Sequence, residues 1–317
     1  MLNLSAKIIE NSLTPAEIIE AVKIGTIKYE SGIYKVPTRI HLEGAGITNL
    51  VMPAMGEDYF CTKLVSVVPS NPQRNLPMIL GTVILSKMET GETIALMDAP
   101  MITALRTAAV GALGLDLISP KETNKIGIIG LGVQGIWQTI FACSVRAVKE
   151  VYCYSRTKVK FDFYKKKVLK KCPYLEIYWC ESSAEVVQKS QVIYACTTSS
   201  KPIFLATEKL IKNKRFISVG SFQKETQELP NLVYEKADVL LIDSTAAKEE
   251  VGDVINALNN GFFKDHQVFT MGKIFTGERE IKREQNVVFK SVGMAAFDLA
   301  LASAIYEKII VTEDLLK

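Results

Sequence analysis

Between residues 126 and 242 the chain alternates short apolar runs with longer amphipathic stretches. The runs are IGIIG (126–130), VYCYS (151–155), LEIYW (175–179), QVIYA (191–195), RFISV (215–219) and DVLLI (238–242). Helical stretches lie between most of them, notably GIWQTIFACSVRAV (135–148) and TKVKFDFYKKKVLKK (157–171). Strands that are apolar throughout and joined by helices predict a parallel sheet covered on both faces. Six of them, opening on a glycine turn, predict a doubly wound α/β domain of the Rossmann type.

The first hundred residues mix element types. Thr14, Pro15 and Glu17 form a helix start, with Thr14 as cap and Glu17 closing a capping box. Short β-like pieces follow: KVPTRIHLE (35–43), CTKLVSVVP (61–69) and LGTVILSK (80–87). METGETIALMD (88–98) then places a turn at Thr90-Gly91 before another strand. From Asp98 to Pro120 the pattern is helical, capped by Asp98, with Pro100 in the first turn and Ser119-Pro120 ending it. The Ala-rich tail SVGMAAFDLALASAIYEKI (291–309) is helical again and is expected to return to the first domain. The expected division is a discontinuous α+β substrate-binding and dimerisation domain, 1–119 completed by 295–317, and a dinucleotide-binding domain, 120–294.

Composition narrows the class. With 48% hydrophobic and 23% charged residues the 317-residue chain reads as a soluble globular protein of two domains. Its formal charge of +4 is spread along the chain except for KFDFYKKKVLKK (160–171), which a solvated helix face explains better than nucleic acid does. No apolar run approaches the roughly 18 residues that span a bilayer, so no membrane is expected. The N-terminus lacks the pattern of a signal peptide, and a cytoplasmic location is expected. The six cysteines and two histidines, His41 and His266, show no zinc spacing, and no metal site is expected.

KIGIIGLGVQG (125–135) carries the clearest motif. G-x-G-x-x-G follows an apolar run and opens a helix, which is the context a dinucleotide fingerprint needs. Gly130 permits the tight turn, Gly132 lets the backbone approach a pyrophosphate, and Gly135 lets helix and strand pack closely. The helix start at Val133 and Gln134 offers free N–H groups to phosphates. At the end of the second strand an NAD site usually has Asp or Glu, whereas here stand Ser155, Arg156 and Thr157. A hydroxyl–guanidinium–hydroxyl triplet suits a 2′-phosphate, so NADPH is the expected cofactor, with NADH possible. Arg156 as a plain solvated loop cation is the alternative.

Three cations stand in unusual company: Arg39 in VPTRIH, Lys63 in CTKLVSV and Arg106 in ITALRTAA. Arg106 is alone in a helix of Ala, Ile, Leu and Val. Such a residue either snorkels to water or meets an anion, because an unpaired buried charge costs several kcal/mol.

The segments VPTRIHLEG, CTKLVSVVPSNP, GTVILSKMETGETIALMDAPMITALRTAA, IGIIGLGVQGIWQ, VGSFQKETQELP and FKSVGMAAFDLA together resemble the ornithine cyclodeaminase/mu-crystallin family over nearly the whole chain. That resemblance implies a homodimer whose first domain supplies the interface and the substrate pocket. It implies that Arg39, Lys63 and Arg106 surround a substrate α-carboxylate, and that Thr107 and the Gly130–Gly135 turn face the cofactor phosphates. Family reactions centre on an imine beside a carboxylate. Cyclodeaminases and related alanine dehydrogenases resemble one another in carrying an Asp in a pattern like V-G-x-D…E-L; in VGSFQKETQEL the matching residue is Phe222, and Glu228-Leu229 is retained. An apolar ring cannot pair with an ammonium ion, which argues against cyclodeamination.

The expectation is therefore NADPH-dependent reduction of a small cyclic 2-imino acid, 1-pyrroline-2-carboxylate or 1-piperideine-2-carboxylate. Arg39 and Arg106 clamp its carboxylate. Lys63 assists electrostatically or relays a proton, and Phe222 packs on the ring methylenes. The alternatives are an ornithine cyclodeaminase, an opine or amino-acid dehydrogenase, and a mu-crystallin-like binder of NADPH without important turnover. Asp243 is expected to cap the segment that follows it or to face the substrate crevice. Asp298 is read as structural or as lying near the nicotinamide pocket.

Overall fold

In the first sheet, inward and outward side chains alternate along strands that turn back on one another. Its strands are β1 (Leu2–Leu4), β2 (Ile40–Gly44), β3 (Ile47–Met55), β4 (Tyr59–Val67), β5 (Ile79–Lys87) and β6 (Thr93–Asp98), in the spatial order β1-β6-β5-β4-β3-β2. β2 to β6 form an antiparallel meander and β1 adds parallel to β6. On β4 the period of two turns Cys61, Lys63 and Val65 inward and Leu64 outward. The helix Ala295–Leu315 packs on β3, β4 and β5 and against the helix Pro15–Glu30. That helix pair crosses closely at Gly25, where a Cβ would stand 2.5 Å from the Ala300 methyl. Pro15–Glu30 begins as expected: Thr14 accepts from the Glu17 N–H, and the Glu17 carboxylate accepts from the Thr14 N–H.

The computed structural model describes residues 1–282 and 284–315. It divides into one unit of Met1–Arg106 with the segment from Met294 onward, and a second of Thr107–Gly293. The division falls inside the helix Ala99–Ile118, whereas the sequence reading drew its boundary after that helix. The helix's second half is fitted to second-unit residues. A Cβ at Gly111 would stand 1.9 Å from Gln138 Oε1, and one at Gly114 would stand 2.2 Å from the Phe289 ring. The expectation that no stretch is long and apolar enough to cross a bilayer needs correction. Ala99–Ile118 is, by length and composition, but 78% of its apolar window is buried inside the protein, as in a core helix.

The second unit is built on eight strands: β7 (Lys125–Ile129), β8 (Glu150–Tyr154), β9 (Glu176–Trp179), β10 (Val192–Ala195), β11 (Arg215–Ser218), β12 (Val239–Ile242), β13 (Val268–Thr270) and β14 (Val287–Lys290). Their order is β13-β12-β14-β11-β10-β7-β8-β9 and every pairing is parallel. The chain runs outward from β7 through β8 and β9, then returns to the other side of β7 with β10. Ligands of such sheets bind at that reversal, outside the carboxyl ends of the strands. The six expected strands are present, and β13 and β14 extend the sheet.

Candidate active site

Lys63 is buried because it occupies an inward position of β4, opposite Met52 of β3 and Val83 of β5. The helix Ala295–Leu315 covers that face and brings Asp298 to it. Lys63 Nζ donates to Asp298 Oδ2 at 2.7 Å and lies 3.4 Å from Thr103 Oγ1. Arg106, three residues along the helix from Thr103, donates Nε to Asp298 Oδ1 at 3.2 Å. One carboxylate thus holds two buried cations through opposite oxygens, and its side chain is fully enclosed. Neither Nη group of Arg106 has a hydrogen-bond partner among the described residues. Arg39, half-buried just ahead of β2, lies close enough for its charge to act on Lys63.

Burial dominates the electrostatics here. It brings Lys63 down to about 8; the Arg106 and Arg39 charges push the same way, and Asp298 opposes them. The Cys61 thiol, two residues away on the same face, is pushed up by burial and by Asp298. Lys63 and Arg106, two buried cations, share the single carboxylate of Asp298, which leaves these three groups with a net charge of +1. Such a surplus held away from water favours an incoming anion.

The structure therefore brings Arg39, Lys63 and Arg106 together, and adds Asp298 and Thr103. Asp298 was legible by the logic applied to Arg106: a lone charge in the apolar run AAFDLALA has to be answered. His41 is exposed on β2. Asp243 neither caps the segment after it nor stands free; it accepts from Ser291 Oγ at 2.7 Å and from the Val292 and Gly293 N–H groups, which fixes the chain after β14.

The glycine turn belongs to the second unit. Gly130 sits at φ +103°, and a Cβ there would stand 2.5 Å from the Cys196 carbonyl oxygen. A Cβ on Gly135 would stand 2.2 Å from Gly130 O, so the helix Val133–Val145 abuts the turn. At Gly132 a Cβ would meet nothing within 4 Å. Internal packing does not demand glycine at that position, and the space beside it is open to an approaching group. The first intrahelical bond runs from Ile136 N–H to Gly132 O, which leaves the N–H groups of Val133, Gln134 and Gly135 for a ligand. These features fit a dinucleotide pyrophosphate. Thr107, buried, accepts from Gln138 of the same helix through its carbonyl at 2.9 Å.

Ser155, Arg156 and Thr157 follow β8; Ser155 is half-buried and the other two are exposed. Beside them Lys158 lies 5.5 Å above the Trp179 ring. No carboxylate stands among residues 155–158.

Phe222 is half-buried against the apolar cluster of the second unit. The loop that carries it is fixed by a buried polar network that the sequence reading missed. Glu228 accepts from the Thr197, Gly220 and Ser221 N–H groups at 2.6, 2.9 and 3.0 Å and from Ser218 Oγ at 2.8 Å. Lys290 donates to Ser218 Oγ, Ser221 O and Ser221 Oγ at 2.8, 2.8 and 2.6 Å. Asp253 accepts from Ser221 Oγ, from the Leu229 N–H and from Tyr234 Oη. Both carboxylates and the ammonium are fully enclosed.

A family model described as ornithine cyclodeaminase/mu-crystallin family matches residues 1–313. A Delta(1)-pyrroline-2-carboxylate reductase of Bacillus cereus is 32% identical over 321 residues, covering 97% of this chain and 96% of that one. The fold superposes on a solved structure of Thermococcus litoralis Delta(1)-pyrroline-2-carboxylate reductase in complex with NADH and L-proline. The TM-score is 0.91 at 29% identity, over 99% of this chain and 98% of that one. An archaeal alanine dehydrogenase dimer with bound NAD gives a TM-score of 0.89 at 25% identity, over 99% and 97% of the two chains.

Proposed function

Because the chain belongs to the ornithine cyclodeaminase/mu-crystallin family, we propose that it uses a reduced nicotinamide dinucleotide to convert a small cyclic 2-imino acid into the amino acid. The substrate is 1-pyrroline-2-carboxylate or its six-membered homologue 1-piperideine-2-carboxylate, and the product proline or pipecolate. One observation carries the reading: Arg106 is buried, gives Nε to Asp298, and has no partner for its Nη edge among the described residues, an edge that suits a planar carboxylate. The relatives whose activity concerns the same compound, from Bacillus cereus and Thermococcus litoralis, support it.

Arg106 and Arg39 bind and orient the substrate carboxylate. Lys63, at about 8, is protonated at neutral pH yet holds its proton weakly enough to pass it to the imine nitrogen. The reduced cofactor, when bound, supplies the hydride that adds to the imine carbon. One hydride and one proton across C=N give CH–NH, so the step balances without a further acid. Gly130, Gly132, Val133, Gln134 and Gly135 would hold the pyrophosphate, with Thr107 beside the helix they open. Phe222 is an apolar ring where cyclodeaminases of the family carry an Asp. It has no acceptor for the ammonium of a diamine, which sets cyclodeamination of ornithine aside.

NADPH is the preferred donor in this reading, supported by Ser155, Arg156 and Thr157 and by the missing carboxylate after β8; NADH serves as the second. A homodimer is also part of it. Ile40, Leu42, Leu64 and Leu80 share one face of the first sheet by register and are 41–57% exposed, a surface suited to a second copy. A cytoplasmic location completes the reading; the six cysteines are free thiols.

The test is cofactor oxidation with 1-pyrroline-2-carboxylate, 1-piperideine-2-carboxylate, and pyruvate with ammonia or methylamine, alongside ornithine with NAD. Turnover of a cyclic imino acid is expected. Ammonia and proline released from ornithine would overturn the assignment drawn from Phe222. A second reading, an amino-acid dehydrogenase, is favoured by the likeness to the archaeal alanine dehydrogenase, and pyruvate with ammonia would be its best substrate pair. Light scattering at assay concentration measures the oligomer, and a monomer would remove that part of the proposal.

A further inference from the structure

We infer that Asp298 is a positioning residue of this site: its two carboxylate oxygens hold Lys63 and Arg106 apart and in register, so that one presents its free guanidinium edge and the other its proton. The inference rests on the reductase reading for its substrate, but its geometry stands alone. Asp298 Oδ2 takes Lys63 Nζ at 2.7 Å and Oδ1 takes Arg106 Nε at 3.2 Å. The contact is made through Nε, and neither Nη group of Arg106 has a hydrogen-bond partner among the described residues. The Oδ2 contact uses one of three ammonium protons, and Thr103 Oγ1 lies near a second, leaving one for a ligand.

A carboxylate needed only for folding would balance the buried charge; this one serves two buried cations and leaves the three groups at +1. Two oxygens shared between two cations give direction rather than neutrality. The charged and titratable groups around Lys63 come from four places: Arg39 ahead of β2, Cys61 on β4, Arg106 on the helix Ala99–Ile118, and Asp298. β3 and β5 contribute only Met52 and Val83 opposite it. Asp298 is therefore the carboxylate that acts on Lys63, by charge and by hydrogen bond, and it favours the protonated form.

Asp298→Asn keeps the shape, but its amide can accept from only one of the two cations. The basic limb of kcat should then move to lower pH by roughly one unit, because the group that keeps Lys63 protonated is gone. kcat itself should fall at least about tenfold. Asp298→Glu retains the charge and should return the limb most of the way. A limb that overlays wild type in Asp298→Asn, whatever happens to kcat or Tm, would reduce Asp298 to a folding residue. If wild type turns over no cyclic imino acid, the functional reading fails, and binding of pyrrole-2-carboxylate to the NADPH-loaded protein decides the inference instead. Calorimetry should show that binding lost at lower pH in Asp298→Asn than in wild type. Equal pH dependence, or no binding to wild type at any pH, overturns it.

Discussion

Arg106→Ala removes one guanidinium from a cluster of three cations and one carboxylate, and the structure fixes what should and should not change. The lost groups are one 3.2 Å hydrogen bond to Asp298 and two Nη donors without a partner among the described residues. If those donors face a substrate carboxylate in a dry site, truncation costs about 2–5 kcal/mol. At about 1.4 kcal/mol per decade this is a loss of roughly thirtyfold to several thousandfold in kcat/KM. Folding should suffer far less. The net charge of Lys63, Arg106 and Asp298 falls from +1 to zero, and Asp298 keeps Lys63 at 2.7 Å, so no carboxylate is left unpaired. Because the Arg106 charge pushes Lys63 down, its removal lets the Lys63 value climb from about 8, and the basic limb of activity moves to higher pH. Arg106→Lys keeps a charge but loses the planar fork, and should fall between wild type and Arg106→Ala. The assay is initial rates of cofactor oxidation against imino acid across pH, with thermal melts of the same preparations. Near-normal kcat/KM in Arg106→Ala would refute the clamp, and so would a limb that moves the opposite way.

Gly132→Ala should leave the melting temperature unchanged, since its Cβ meets nothing within 4 Å, yet weaken cofactor binding in a fluorescence titration. Gly135→Ala should instead destabilise the fold, its Cβ falling 2.2 Å from Gly130 O. Arg156→Ala should lower the NADPH-over-NADH ratio of kcat/KM by about tenfold to a hundredfold, as expected for a lost charge-assisted contact; an unchanged ratio would return Arg156 to the role of a loop cation. Lys63 lies at about 8 in the folded protein against an ordinary 10.5. Between those values the unfolded chain binds a proton that the folded one does not, so this group's contribution to stability rises with pH across that window. Urea midpoints should show wild type gaining on Lys63→Met above pH 8, by at most about 1.4 kcal/mol per pH unit, and a constant difference would contradict the assignment.

Much of the second unit was legible because its strands are apolar on both sides and separated by helices. Only β13 and β14 escaped. VFT is three residues long, and VVFK follows a polar stretch rich in Arg, Glu and Lys. In the first unit β1 and β3 were missed. LNL is too short to show a period, and ITNLVMPAM carries Asn49 and Pro53, which read as loop chemistry. The three cations were visible as charges in apolar company. Their common partner was not identified, because Lys63 and Asp298 are 235 residues apart and only the packing of the last helix on β4 joins them. The same holds for Lys290 and its serine partners, 72 and 69 residues away. Alternation tells which way a side chain points; it does not tell what stands opposite.

The surplus of positive charge around Asp298 reaches beyond the reaction itself. A protein that sets two buried cations against one carboxylate will accept small organic acids other than its own substrate. Acetate, citrate or tartrate in a purification buffer should raise its melting temperature and slow its turnover competitively. Kinetic constants gathered in such buffers would then describe a partly inhibited enzyme, so a chloride or zwitterionic medium is the proper baseline for comparing variants.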